Sequence, residues 1–332
     1  MQMTHVRSIL GPAFAFLLAV APAVSAQTPA AALGAAPMTR IGVVVRDVQK
    51  AVKTYVDVFQ LPSAPAISTV KVDLVKGSMK VKRATVQLPN VRIEIDQPQG
   101  NSGPAAAYLK QFGQGIYRIG FSSPDALAAR VAALEQKGGK LVAGKATGTY
   151  AWVDMTPSLG TIIDMVQEAA PAAPASTAAV IAGDKVVLGS TAMSHLGWAV
   201  SNADQVAKSF ADALGIAAPT VRDYKPVEIP PNYTADPAAT LRLTSWKQAN
   251  TGIELIQSLG QTNWTDFVAR HGKNSAPQHL AFPVGDKLAQ TVRLFQTKGA
   301  TWTNGKLGGT YMYLDFTESL GIIFELNGAW KE

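Results

Sequence analysis

A chain of 332 residues, 47% hydrophobic and 16% charged, holds enough apolar sequence for two ordinary domains with proper cores, which excludes a disordered protein. Its 30 basic residues outnumber 23 acidic ones, for a formal charge of +7, yet they are scattered singly and "KGSMKVKR" is their densest cluster, so nucleic acid is not an expected partner. The absence of cysteine excludes a thiol nucleophile, a Cys-ligated zinc site and an iron–sulfur cluster.

The first 26 residues stand apart. "MQMTHVR" ends in Arg7, "ILGPAFAFLLAVAPAV" is apolar, and "VSA" supplies small residues before Gln27, which is the build of a secretory signal peptide. The apolar run is short and contains Pro12 and Pro22, which argues against a membrane anchor. Cleavage after Ala26 is expected, giving a periplasmic or secreted protein with no membrane partner. Residues 27–38 read as a flexible spacer before a first domain over 39–167. "AAPAAPASTAA", Ala169 to Ala179, marks a linker over 168–192, followed by a second domain over 193–327 and a tail over 328–332.

In the first domain "TRIGVVV" is a β-rich run, and "VQKAVKTYVDVF" places Val48, Ala51, Val52 and Tyr55 at helical spacing. "TVKVDLV", "RATVQL" and "VRIEID" alternate apolar and polar residues, as half-buried strands do. "SGPAAAYLKQF" predicts a short helix with Ser102 near its cap, and "GIYRIGF" a strand. "SPDALAARVAALEQKGG" predicts an amphipathic helix capped by Ser123 or Asp125 and stopped by Gly138. "TYAWVDM" and "GTIIDMVQ" are the closing strands. The second domain repeats this order, including the helices "DQVAKSFADALG" and "DKLAQTVRLFQTKGA". Each domain therefore reads as two βαβββ halves, an α+β architecture.

The repetition extends to sequence. "GTYAWVDMTPSLGTIIDMVQ" begins at Gly148 and "GTYMYLDFTESLGIIFELNG" at Gly309, 161 positions later. The strands "GIYRIGF" and "APQHLAF" put Arg118 and His279 at the same offset of 161, which marks an internal duplication.

In the second domain four polar residues interrupt apolar strands: His195 in "MSHLGWAV", Glu254 in "TGIELIQ", His279 in "APQHLAF" and Glu325 in "IIFELNG". A lone histidine in such a strand is ordinarily a satisfied core residue. Two imidazoles and two carboxylates together need partners, because an unpaired buried charge costs several kcal/mol. A divalent ion satisfies all four, and this donor set suits Zn, Mn, Co, Ni or Fe(II).

The order strand–His, strand–Glu, strand–His, strand–Glu over a doubled βαβββ resembles the vicinal-oxygen-chelate superfamily of glyoxalases, epimerases, bleomycin-resistance proteins and extradiol dioxygenases. "VRIEIDQPQGNSGPAAAYLKQFGQGIYRIGF" and "TGIELIQSLGQTNWTDFVARHGKNSAPQHLAF" are most similar to its methylmalonyl-CoA epimerase-like branch. The resemblance implies tandem domains, each a pair of βαβββ modules curled into an open barrel. It implies His195, Glu254, His279 and Glu325 as metal ligands, with Glu325 or Glu254 as the catalytic base. The equivalents in the first domain are Arg40, Glu94, Arg118 and Asp164, and guanidinium has no lone pair to donate. Two arginines and two carboxylates sum to zero, so a salt-bridge cluster is expected to replace the ion there. The rival reading is an anion pocket for a substrate carboxylate.

What the resemblance implies for function is a metal-dependent isomerase or lyase acting through an enolate on a small oxo or hydroxy acid, a sugar or an aromatic. An exported address disfavours coenzyme A thioesters. The alternatives are an Fe(II) extradiol dioxygenase and a non-catalytic binding protein of the bleomycin-resistance type. The dioxygenase signature of a Tyr and a Pro shortly before the last Glu is absent from "YMYLDFTESLGIIFE". "RDYKPVEIPPNYTADP", Arg222 to Pro237, has no counterpart in the first domain and reads as a lid or a surface insertion. An oligomer is compatible with the sequence.

Overall fold

The structure, a computed structural model, describes residues 32–169, 176–224, 238–272 and 274–331. The expected leader and most of the proline-rich insertion lie outside them.

The first domain runs β1 (Met38–Val44), α1 (Val48–Phe59), β2 (Ser68–Asp73), β3 (Ser78–Gln87), β4 (Arg92–Pro98) and α2 (Pro104–Phe112). It continues with β5 (Gly115–Ser123), α3 (Leu127–Gln136), β6 (Lys140–Gly144), β7 (Tyr150–Asp154), α4 (Thr156–Leu159) and β8 (Ile162–Gln167). A small hairpin, β9 (Ile181–Ala182) and β10 (Lys185–Val186), precedes the second domain. There β11 (His195–Ala199), α5 (Ala203–Leu214), β12 (Arg222–Tyr224), β13 (Thr240–Gln248), β14 (Thr251–Leu259) and α6 (Asn263–Arg270) form the first half. The second half is β15 (Ala276–Gly285), α7 (Leu288–Thr297), β16 (Thr301–Gly305), β17 (Tyr311–Asp315), α8 (Thr317–Leu320) and β18 (Ile323–Gly328).

Each domain makes one mixed eight-stranded sheet, ordered β2-β3-β4-β1-β5-β8-β7-β6 and β12-β13-β14-β11-β15-β18-β17-β16. The two orders are the same, as duplication requires. In the first sheet a bridge between Leu74 and Ala143 brings the two edges together into a barrel. The strand β3 shows why the sheet has two faces: its residues alternate exposed and buried along nearly its whole length. The central strands β1 and β5 are buried at every position, because barrel interior lies on one side and helices on the other.

Helix α1 buries Val48, Ala51, Val52, Tyr55, Val58 and Phe59 on one face. Asp47 caps it by accepting from the Gln49 and Lys50 amides at 2.9 and 3.0 Å, worth about 1 kcal/mol. The expected caps at Ser102, Ser123 and Asp125 are absent: α2 and α3 begin after Gly103 and Ala126 with no side-chain cap, and Ser123 instead hydrogen-bonds Asp125. The expected spacer is also not free at its end, since Ala32 and Leu33 are fully buried in the main core. Within the expected linker, Val186 and Leu188 are buried as well.

The two domains share one core and exchange hydrogen bonds across their seam. The Tyr55 hydroxyl donates to the Leu320 carbonyl at 3.2 Å, and the Trp198 indole donates to the Leu159 carbonyl at 3.0 Å. Leu159 and Leu320 are equivalents, so each domain uses the same carbonyl to receive its twin.

Candidate metal centre

The four second-domain residues come together. His195 opens β11, Glu254 lies on β14, His279 on β15 and Glu325 on β18, and the sheet order makes these four strands neighbours. One ligand atom from each lies within 4.8 Å of all the others, a group that can hold a metal ion. His195 Nε2 is 2.9 Å from Glu325 Oε2 and 3.5 Å from Glu254 Oε2. His279 Nε2 is 3.3 Å from Glu325 Oε2 and 3.5 Å from Glu254 Oε2.

Two local devices aim these side chains. Gly197 stands opposite both Glu254 and His279, and the His279 ring crosses over the space a side chain would take. Between Gly197 and Trp198 the β11–β15 ladder slips by one residue, leaving Gln278 as a bulge. Gln278 and His279 then share a neighbourhood, and Gln278 Oε1 lies 3.2 Å from His279 Nδ1. Acceptance from Nδ1–H fixes the tautomer that leaves the Nε2 lone pair facing the carboxylates.

The electrostatics show what the site lacks. Burial disfavours the charged form of His195, but the Glu254 and Glu325 carboxylates, 3.5 and 2.9 Å from its Nε2, outweigh it and raise its pKa to about 10. The same balance raises His279, whose imidazole is fully buried. Burial pushes both carboxyls up, while the two imidazoles pull Glu254 and Glu325 below the ordinary range. Two adjacent carboxylates thus demand positive charge between them, as protons on imidazole or as a cation. His279 Nε2 and Glu254 Oε2 are buried and have no hydrogen-bond partner. Two orphaned donor atoms of lone pairs, 3.5 Å apart and flanked by two more, fit a divalent ion.

Tyr313 was not singled out by sequence reasoning. Its ring meets His279 edge-on at 5.0 Å, and it is the cross-strand partner of Glu325. The signal was present in the repeat: Tyr313 stands where the first domain has Trp152, 161 positions earlier. The third described histidine, His271, is elsewhere. It donates from Nδ1 to the Phe267 carbonyl at 2.8 Å and meets the Tyr108 hydroxyl through Nε2 at 3.0 Å, beside a cavity of about 290 Å³ at the domain seam. Both ring nitrogens are satisfied, and its role is structural.

The first barrel is a charge lattice larger than the expected quartet. Arg118 is fully buried; it donates from Nη1 to Asp164 Oδ2 at 2.7 Å, from Nε to the Tyr117 hydroxyl at 2.9 Å, and from Nη2 to Glu94. Its guanidinium lies 4.6 Å from the centre of the Trp152 ring. Arg40 pairs with Glu168, and Arg83 holds Asp96 through two bonds of 2.6 and 2.8 Å. Arg83 and Arg92 also reach Glu94, at 2.9 and 3.1 Å. Four arginines thus face Glu94, Asp96, Asp164 and Glu168. A cavity of about 260 Å³ opens above them, but Glu94, Asp164 and Glu168 line it along with the arginines, so its wall is mixed rather than cationic.

A family model described as glyoxalase/bleomycin resistance protein/dioxygenase superfamily matches residues 39–152 and 194–313. No curated protein matches the chain. Among solved structures, a substituted 4-hydroxymandelate synthase from Streptomyces coelicolor is similar at a TM-score of 0.56 and 13% identity, covering 90% of this chain and 94% of that one. A xylose isomerase-like TIM barrel/4-hydroxyphenylpyruvate dioxygenase fusion protein is similar at 0.50 and 11%, covering 94% of this chain and 51% of that one. Methylmalonyl-CoA epimerase from Mycobacterium tuberculosis is similar at 0.30 and 21%, over 40% of this chain and 89% of that one. With a family match in each half and one eight-stranded βαβββ-paired sheet per match, the chain belongs to the glyoxalase/bleomycin resistance protein/dioxygenase superfamily, as two tandem domains.

Proposed function

We propose that the protein is an exported, metal-dependent isomerase or lyase that moves a proton on carbon in a small oxo or hydroxy acid, with its chemistry in the second barrel. The observation that carries this reading is the pair of buried, unpartnered lone-pair atoms, His279 Nε2 and Glu254 Oε2, at the centre of the quartet. His195, His279, Glu254 and Glu325 would hold the ion. A bound divalent ion supplies Lewis-acid polarisation of the substrate's oxygens, which acidifies the adjacent C–H.

The chain's own groups then divide the work. Glu325 is held by His195 at 2.9 Å and lies 3.3 Å from His279, so it is the anchored carboxylate. Glu254 makes only 3.5 Å contacts with the two imidazoles, so it is the more loosely held carboxylate and is assigned as the base that takes the proton from carbon and returns it. His279 is held in place by Gln278. Fully four protein donors, rather than the three of a two-His, one-carboxylate triad, favour this reading over an Fe(II) dioxygenase.

The test is deuterium incorporation at C3 of 2-oxobutyrate in D₂O, followed by NMR on protein loaded with one equivalent of Mn(II), Co(II), Ni(II) or Zn(II). Exchange is expected with the wild type, and a loss of about 10²–10⁴-fold with Glu254→Gln at equal metal content. Oxygen uptake with Fe(II) and no exchange would replace this reading with the dioxygenase. Export is supported by the composition of residues 1–26, and a mature N-terminus at Gln27 in the periplasmic or secreted fraction tests it.

A further inference from the structure

The second barrel is under-satisfied well beyond its four charged groups. Among the described residues, Asn304 Oδ1 and Nδ2, Trp264 Nε1 and Gln278 Nε2 are buried with no hydrogen-bond partner. Each residue is 2% exposed or less. Trp246 Nε1, Asn250 Oδ1, the Asn263 amide and Gln290 Oε1 also lack a partner, but Asn304, Trp264 and Gln278 are tied to the centre through Tyr313 and His279. Asn304 on β16 is the cross-strand partner of Tyr313. The Trp264 ring meets Tyr313 edge-on at 5.6 Å, and Tyr313 in turn meets His279 at 5.0 Å. Gln278 is the bulge residue beside His279.

The first barrel puts different residues in these places. Ala143, paired with Trp152, stands for Asn304; Ala105, second residue of α2, stands for Trp264, second residue of α6; and Tyr117 stands for Gln278. The two alanines carry no side-chain polar atom, and the Tyr117 hydroxyl is satisfied by Asp96 at 2.7 Å. At these three places, then, the first barrel leaves no orphan; its own buried orphans, Arg40 Nη1 and Asp164 Oδ1, lie within its charge lattice. Leaving a buried polar atom unpaired costs about 1–3 kcal/mol each, so three N–H donors and one amide oxygen around one centre call for a partner from outside the chain.

We propose that Asn304, Trp264 and Gln278 form a second recognition point in the active barrel, which takes an uncharged carbonyl or hydroxyl oxygen at the end of the substrate remote from its metal-chelating oxygens. The three N–H groups carry no formal charge, and they present one acceptor, Asn304 Oδ1, among them. An oxygen that accepts from N–H suits this set, whereas a second carboxylate would be buried with no cation to compensate it. The proposal rests on the proposed function for the chelating end and adds the class of the other end.

A matched pair of probes tests it: 2-oxohexanoate and 2,5-dioxohexanoate, titrated calorimetrically into Ni(II)-loaded and metal-free full-length mature protein. The 5-oxo group is expected to tighten binding about tenfold in the wild type, the value of one good net hydrogen bond. That gain should disappear in Asn304→Ala and in Trp264→Phe, while affinity for 2-oxohexanoate stays within about twofold. Equal binding of the two probes by the wild type, or a gain that survives both substitutions, overturns the subsite and leaves the metal reading intact. Binding of neither probe, or binding indifferent to Ni(II), overturns the metal reading and this one with it. A ligand-free measurement guards against a structural role: Asn304→Ala, which installs the twin's residue, should leave Tm unchanged or raise it. A drop of several degrees shows that Asn304 serves the fold and overturns its place in the subsite.

Discussion

The two barrels share a strand order, a glycine beside the deepest side chain and four equivalent interior positions, yet they balance charge in different ways. The first surrounds Arg40, Arg83, Arg92 and Arg118 with Glu94, Asp96, Asp164 and Glu168, so positive and negative groups are equal and internally paired. The second has two carboxylates and two imidazoles and leaves the positive charge to be supplied. The exchange of His for Arg was not a local event. Asp96 pairs across the ladder with Arg83, and at the equivalent positions of the second barrel stand Ile256 and Leu243, which are apolar. A guanidinium taken from water must recover its hydration in fixed contacts, and a single carboxylate cannot give all of them. The difference teaches that a guanidinium inside a barrel comes with a rebuilt network of carboxylates, whereas a His/Glu quartet leaves its positive charge to be supplied.

The sharpest way to break this comparison is to remove one ligand and one guanidinium in turn. His279→Ala should abolish stoichiometric metal binding, with affinity falling at least about 100-fold, while wild-type protein binds one ion per chain and gains about 3 kcal/mol of stability at saturating metal. Inductively coupled plasma mass spectrometry and thermal unfolding read both quantities. Two ions per chain, or an unchanged load in the variant, would overturn the asymmetry. Arg118→Met should do the reverse: metal load stays at one, and stability falls by about 3–5 kcal/mol because Glu94, Asp96 and Asp164 lose their shared cation. If Arg118→Met instead weakened substrate binding without lowering the urea midpoint, the anion-pocket reading of the first barrel would stand.

Much of this was legible in the sequence, for a physical reason that also sets the limit. A charged residue inside an apolar strand is conspicuous, so Glu94, Arg118, His195, Glu254, His279 and Glu325 stand out, and the constant offset aligns one barrel on the other. Gln278 and Tyr117 were hidden because a bulge turns two consecutive residues to one side, which a period of two cannot express. Arg83 and Asp96 sit at strand positions that read as ordinary solvent-facing alternation, and only the curl of the sheet makes that face an interior. Ala32 and Leu33 read as spacer because small residues signal flexibility, yet a neighbouring core has room for them. The missing helix caps at Ser102 and Asp125 show that packing of an apolar face suffices to hold α2 and α3 in place.

Acid sharpens the comparison by acting on the first barrel's paired acids. Burial pushes the Glu94 carboxyl up, but Arg118 and Arg83 pull it further down, to about 2 from an ordinary 4.5. A depressed carboxyl contributes stability that is fully present above the unfolded value and is lost as pH falls toward the folded one. Between pH 4.5 and 2 the wild type should therefore lose on the order of 3 kcal/mol through this group. Asp164 opposes it in part, since its burial outweighs its arginines and holds its pKa raised. Glu94→Gln should be less stable at pH 7 and show a flatter midpoint-against-pH curve across that window. An unchanged slope would remove Glu94 from the lattice.

The finest comparison uses one substitution at the same place in each barrel. A Cβ on Gly197 would lie 1.9 Å from His279 Cε1 and 2.0 Å from its Nε2, and the ring is pinned by Gln278. A Cβ on Gly42 would lie 2.4 Å from Arg118 Cγ and 2.6 Å from its Nε, on an arm with several torsions to adjust. Gly197→Ala should therefore displace the imidazole itself and weaken metal binding about 10–100-fold, comparable to disturbing a ligand's orientation. Gly42→Ala should leave metal affinity alone and lower stability by about 1–3 kcal/mol, the cost of overpacking, as the guanidinium shifts among its partners. Competition titration with a zinc chelator and urea unfolding, run on both variants, separate the outcomes. If both lost stability equally and neither changed metal affinity, the glycines would be matters of packing alone, and the ring crossing over Gly197 would have no part in holding an ion.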